Sequence, residues 1–294
     1  MSVAMHRQYL IMLCLTVMVF LSSCVINTST PVGSSQSSTE MLAEDTPANG
    51  SHPEEVHLTL TSGLRIDEYA LQEAPQTEPL TFVPFAGSQE DILNKHALQR
   101  SHAYQKKSSF INGYYSMSAE FGDQGLLARE VIAEVEEVPA DIRIEVMLND
   151  KVIYSMPAGE VSPLNALQGL WSYDGHWVVE VARVSYSYDE QHKENVWHSL
   201  GQILRDGQNL NQSYDYQESF GFQLLYEKPF YFFSRDGEIG FSYDDEETSL
   251  GKGSIYHYGC CSAAELNPRT AQNMVSFFAH KNGDWYYIEI GVFE

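Results

Sequence analysis

The sequence predicts a mainly β protein whose antiparallel strands recur in a repeating order, and three observations predict it. Eighteen Tyr, 14 Phe and four Trp are heavy for 294 residues, and aromatic and β-branched side chains favour a pleated, half-buried surface. Three segments of the C-terminal half share one plan: an aromatic strand, a turn on Asp-Gly or Asn-Gly, and a second aromatic strand. Only residues 90–107, with Ile92, Leu93, Ala97 and Leu98, space their apolar positions for a helix.

At the N-terminus, His6 and Arg7 precede an apolar run over residues 10–21, which ends in Leu21-Ser22-Ser23-Cys24. A charged start, a short apolar core and small residues describe a secretory signal over residues 1–23, too short to span a bilayer. The last four residues resemble the lipobox of bacterial lipoproteins. That resemblance implies a diacylglyceryl group on Cys24, cleavage before it and acylation (typically palmitate) of the new amine. It places the chain in the bacterial cell envelope, outside the cytoplasm, with the membrane as a partner through lipid. Val25 follows the cysteine where an aspartate would argue for inner-membrane retention, so an outer-membrane or cell-surface destination stays open.

Cleavage there removes one base and no acid, taking the formal charge from −23 to −24. Such a field repels phosphate backbones and anionic headgroups, which disfavours nucleic acid as a partner. Residues 24–55 carry no aromatic side chain and many Ser, Thr, Pro and Gly, the composition of a flexible tether.

From Val56 the composition turns aromatic and β-branched. Residues 56–149 read as a mixed, mostly β region. Val56-His57-Leu58-Thr59-Leu60 alternates like a strand, and residues 126–138 fit a helix or a strand. Ile142 to Val146 alternates, then Asn149-Asp150 turns into Val152-Ile153-Tyr154, a hairpin signal.

Residues 150–294 hold the repeat. Its turns are Asp174-Gly175, Asp236-Gly237 and Asn282-Gly283, separated by 62 and 46 residues. Asp or Asn before Gly tolerates the positive φ of tight hairpins. In the first block, alternation sends Trp177, Val179 and Val181 to one face. Between the blocks, Gln202 to Gly207 and Phe241 to Glu246 pair a strand with an acidic turn. Phe220 to Leu225 and Ile255-Tyr256-His257-Tyr258 then fill equivalent strand slots. Units of 40–60 residues with several up-and-down strands have the period of a propeller blade. His176 to Val181 and Asp284 to Ile290 are similar to the phrases of degenerate TolB-like and WD40-like β-propellers. That resemblance implies a β-propeller-like fold, while a β-sandwich of long hairpins gives much the same string.

No Gly-x-Ser-x-Gly, His-Glu-x-x-His, phosphate loop or EF-hand spacing occurs, so no catalytic residue and no cofactor is assigned. Asp244-Asp245-Glu246-Glu247 and Asp215 with Glu218 could supply the paired carboxylates of a glycan hydrolase. Cys260 and Cys261 are adjacent, and three readings stand open: a strained vicinal disulfide, two buried thiols, or metal ligation with His257. Tyr173, Tyr186, Tyr188 and Tyr216, each near acids, are the candidate rings for a carbohydrate or protein ligand. The function expected is a non-enzymatic binding lipoprotein. The alternatives are an extracytoplasmic glycan-active hydrolase and an accessory part of an envelope assembly.

Overall fold

The computed structural model describes residues 56–60, 62–71, 74–75, 108–111, 114–133, 141–162, 164–258, 264 and 267–292. The signal, Cys24, the tether, Cys260, Cys261 and the helix expected over 90–107 lie outside them. Contacts divide the chain into residues 1–49 and 50–294, and every described residue belongs to the second unit.

The described chain is mainly β, in two nine-stranded sheets of antiparallel hairpins with one parallel bridge. Its strands begin with β1 (Val56–Thr59), β2 (Arg65–Leu71), β3 (Ser108–Ile111), β4 (Tyr114–Phe121), β5 (Gln124–Ala133) and β6 (Asp141–Leu148). There follow β7 (Lys151–Glu160), β8 (Leu167–Tyr173), β9 (His176–Asp189), β10 (Glu194–Arg205), β11 (Gln208–Asn209) and the short helix α1 (Leu210–Tyr214). The chain closes with β12 (Glu218–Leu225), β13 (Lys228–Arg235), β14 (Glu238–Tyr243), β15 (Glu246–Ser254), β16 (Arg269–Thr270), β17 (Met274–Lys281) and β18 (Asp284–Gly291).

The first sheet runs β1-β2-β18-β17-β15-β14-β13-β12, with β16 beside β17. Its corner is β15, which pairs with β14 through Glu246 to Lys252 and then with β17 through Gly253 and Ser254. The two arms fold toward each other around Phe220, Phe230, Phe232, Phe241, Phe277, Ile288 and Ile290. Phe232 and Phe277 meet edge to face across that core, with centroids 4.7 Å apart.

The second sheet runs β11-β10-β9-β7-β6-β5-β4-β3, with β8 beside β9. Here the corner is one parallel bridge, Gly159 to Val184. Gly159 has φ +96°, and a Cβ on it would lie 2.1 Å from the Val184 carbonyl oxygen. Only glycine permits that backbone-on-backbone approach. The enclosed core includes Leu126, Ile144, Val146, Leu170, Trp177, Val179 and Val181.

The predicted turns hold. Asn149, Asp150, Asp174, Asp206, Asp236, Asp244, Asp245 and Asn282 all have positive φ, and glycines 175, 207, 237 and 283 follow the aspartates and asparagine before them in the same region. Residues 126–138, open between helix and strand, fall partly in β5, and 142–154 form the β6–β7 hairpin. The expected division at 149/150 therefore falls inside a hairpin, and β2 pairs with C-terminal β18.

One expectation is corrected. Ile255 to Tyr258 is irregular rather than a strand, and Tyr258 takes a left-handed conformation, φ 56°. The β13–β14 and β17–β18 hairpins are joined edge to edge through β15, so they merge into one long sheet.

Candidate functional site

The alternate faces of the same strands bring the two sheets together. On β9 the face opposite Trp177, Val179 and Val181 carries Val178 and Glu180; on β13 the face opposite Phe230 and Phe232 carries Tyr231 and Phe233. Trp171, Val178, Ile203, Leu210, Tyr216, Phe222, Tyr231 and Phe233 form one cluster between the sheets. Helix α1 carries the chain across, with Asn209 capping its N-terminus through a bond from the Asn211 N–H.

The seam beside that cluster is stitched by side chains. β10 pairs β9 along one edge, and side chains reach its backbone at the seam. Glu218 Oε1 accepts from Gly201 N (2.6 Å), Asn211 Nδ2 donates to Gly201 O (2.9 Å), and Ser219 Oγ accepts from Ile203 N (3.0 Å). On β12 a bulge between Phe220 and Gln223 releases two amides from the β13 ladder, with Gly221 at φ +68°. Both point at Glu180: Gly221 N donates to Oε1 (2.9 Å) and Phe222 N to Oε2 (2.8 Å). The Tyr258 hydroxyl adds a third bond to Oε1, 2.7 Å. Glu180 is 3% exposed, so this carboxylate of one sheet is held by donors from the other.

His257 completes the seam. Its ring stacks on Phe220 with centroids 3.6 Å apart and planes 4° from parallel. Nδ1 lies 2.7 Å from the Ile255 carbonyl oxygen and Nε2 lies 3.0 Å from Glu218 Oε1. Both ring nitrogens thus lie within hydrogen-bond reach of an oxygen.

A cavity of about 410 Å³ opens along this seam, within the size range of small-molecule sites. Trp171, Phe220, Phe222, Leu224 and Pro268 give it apolar walls, and Glu180, Gln223, His257, Tyr258 and Asn267 bring polar groups to it. The amide of Asn267 is taken: it accepts from Phe278 N (2.7 Å) and donates to Phe278 O (2.6 Å), as a neighbouring strand would. Gln223 is the exception. It is 6% exposed, and neither Oε1 nor Nε2 has a hydrogen-bond partner.

The fold pairs two residues the sequence had singled out separately: His257, a possible metal ligand, lines the cavity, and Glu218, a possible hydrolase carboxylate, lies 3.0 Å from its Nε2. Among the described residues no group of three His, Cys, Asp or Glu is placed to hold a metal ion. The acidic run at the β14–β15 turn is engaged in pairs: Asp244 with Lys228 (2.5 Å), Asp245 with Arg205 (2.9 Å) and Glu247 with Arg235 (2.5 Å). Of the four candidate rings, Tyr216 is 6% exposed and stacked on Phe233, with its hydroxyl on Glu247. Tyr173 is half-buried beside Phe222 and Arg205. Tyr186 and Tyr188 lie far along the β9–β10 hairpin, Tyr186 opposite Trp197, and Tyr188 is 55% exposed. The four rings do not converge, and none lines the cavity. Sequence reading missed Glu180 and Gln223, although each is a lone polar residue inside an apolar strand.

Burial, then the charge of Glu180, pushes the Tyr258 phenol well above its ordinary value of 10.0. Burial also raises Tyr231, Tyr216 and Tyr287. In the unfolded chain these phenols ionise near pH 10, whereas the native state keeps their protons, so above that pH the native state binds more protons. Their contribution is complete below pH 10 and is lost as pH rises through the raised native values. Denaturant midpoints at pH 9 and pH 11 will show the loss, on the order of 1 kcal/mol for each well-buried phenol. Phenolate absorbance from these rings will appear together with unfolding rather than before it.

No family model and no curated protein matches the chain. No helix among the described residues is long and apolar enough to cross a membrane.

Proposed function

We propose that the chain is a binding module, held outside the cytoplasm of a bacterium by lipid on Cys24, that takes a neutral ligand in the cavity between its two sheets. The carrying observation is the cavity itself, about 410 Å³, walled by Trp171, Phe222, Leu224 and Pro268 and lined by no lysine or arginine among the described residues. A concave, mostly apolar pocket with a few polar groups is the usual form of a small-molecule site. The lipobox-like Leu21-Ser22-Ser23-Cys24 and the tether after it support the location. Of the two architectures expected, a sandwich of long hairpins accounts better for two folded nine-stranded sheets than a ring of blades. The hydrolase reading gains less, because Glu180 and Glu218 both accept backbone amides that hold the seam.

Two measurements test the proposal on the full chain in detergent. Ligand-observed NMR against neutral glycan fragments and blocked short peptides should find a binder, and Leu164→Trp, a bulky change in the cavity lining, should weaken it at least tenfold. Equal binding by that variant would place the ligand elsewhere. In fractionated cells the native chain should sediment with membranes and Cys24→Ala should be soluble; a Cys24→Ala chain that stays membrane-bound after a carbonate wash contradicts the anchor.

A further inference from the structure

A second concave site lies on the second sheet and shares no lining residue with the cavity between the sheets. It is a groove of about 440 Å³, and its lining includes Tyr154, Met156, Arg183, Gln202, Gln208 and Gln212. Strand register explains the placement. Val179, Val181 and Leu204 share the core face of the β9–β10 pair. The same face carries Gln202, which pairs with Val181, and Arg183, which pairs with Leu200. Tyr154 and Met156 of β7 pack against that core from the other arm.

The walls of the groove are fixed. Gly207, at φ +82°, turns β10 into β11 so closely over the Tyr154 ring that a Cβ there would lie 3.0 Å from ring carbons. Asp206 ties the same turn to β9 by accepting from Trp177 N (3.0 Å), and Asn211 Nδ2 holds α1 to Gly201 O (2.9 Å). A polar site on rigid walls loses little entropy when a ligand arrives.

The polar side chains of the lining are free. Neither the amides of Gln202, Gln208 and Gln212 nor the guanidinium of Arg183 has a hydrogen-bond partner among the described residues. Arg129, Arg205 and Arg235 each hold a carboxylate. Arg183 holds none, in a chain with 40 acids against 17 lysines and arginines. No Asp or Glu lines its groove among the described residues.

That set of groups selects a ligand class. A guanidinium takes a carboxylate through two parallel bonds. A carboxamide both donates and accepts, as a sugar hydroxyl does. Three carboxamides around one cation therefore match a ligand dense in hydroxyls that carries one negative charge. A polyanion would meet the repulsion of a chain with formal charge −23. A peptide's terminal carboxylate would satisfy Arg183 but brings one backbone amide per residue, against the several hydroxyls of a single sugar ring.

From these observations we infer that the groove binds a saccharide bearing a single carboxylate, a hexuronate in its simplest form. The carboxylate pairs with Arg183, and the ring hydroxyls bond the amides of Gln202, Gln208 and Gln212.

Ligand-observed NMR on the full chain in detergent tests this with methyl glucuronide, methyl glucoside, glucose 6-phosphate and acetyl-alanyl-alanine. The glucuronide should bind. The glucoside, which has a hydroxymethyl group in place of the carboxylate, should bind roughly ten- to a hundredfold more weakly. Arg183→Gln should weaken the glucuronide by a similar factor. Gln212→Ala is the second variant and should weaken it severalfold. Both should keep the native melting temperature, because neither side chain has a partner to lose. Equal glucuronide affinity in native and Arg183→Gln protein overturns the inference. Glucuronide binding that Leu164→Trp abolishes and Arg183→Gln retains puts the sugar between the sheets and also overturns it. Tighter binding of the phosphate or of the dipeptide identifies a different anion, with the same consequence. Absence of glucuronide binding overturns the groove reading and leaves the neutral-ligand cavity to its own test.

Discussion

Glu180→Leu is expected to destabilise the protein by about 3–5 kcal/mol and to lower its melting temperature by roughly 10 °C. The change is close in volume, so the transfer of the side chain itself is not the cause. The loss comes from three donors left in a dry seam: the amides of Gly221 and Phe222, and the Tyr258 hydroxyl. Two of them exist only because β12 bulges away from β13, so the variant removes the reason for the bulge and keeps its strain. Thermal and denaturant unfolding of the variant measure this directly, and a loss below 1 kcal/mol would mean that water reaches the seam and replaces the carboxylate.

Phe232→Ala should cost a similar 3–5 kcal/mol, by a different route. Phe232 is 0% exposed and touches Phe220 on its own arm of the sheet, Phe230 beside it and Phe277 on the opposite arm. Deleting the ring leaves a cavity at the point where the two arms of the first sheet meet. The arms cannot collapse onto it, since the β15 corner fixes their separation through the Gly253 and Ser254 pairs. Its neighbour Tyr231 lies on the other face, in the inter-sheet cluster, so a matched Tyr231→Phe change should cost far less and serves as the control for the strand itself. Equal losses in the two variants would contradict the assignment of these residues to separate cores.

The strands and turns were legible because their signals are local. Asp174-Gly175 and Asn282-Gly283 tolerate the positive φ that a tight hairpin needs, and the alternation of Trp177, Val179 and Val181 commits β9 to one face for its core. What joins hairpins is not local. The β13–β14 and β17–β18 hairpins are linked at β15, whose Gly251 (φ +90°) and Gly253 carry no pattern that separates a corner from a turn.

The site was legible only in part, for the same reason. Glu218 and His257 attracted attention as residue types, but 39 positions separate them and only the fold sets them 3.0 Å apart. Glu180 and Gln223 sit in the runs Val178-Val179-Glu180-Val181 and Phe220-Gly221-Phe222-Gln223. A polar residue interrupting an apolar strand, with a glycine nearby to mark a bulge, was the available signal. Tyr216 misled because an aromatic ring beside acids reads alike on a surface and in a core; its hydroxyl on Glu247 satisfies it while the ring stacks on Phe233.

The central claim is that the cavity between the two sheets takes a neutral ligand, and the Trp171 indole in its wall reports this most directly. Titration of ¹⁵N-tryptophan-labelled protein with the neutral glycan fragments and blocked short peptides should shift the Trp171 indole resonance for whichever probe binds, saturating along its binding curve. A Trp171 resonance that stays in place while a probe saturates would contradict the account.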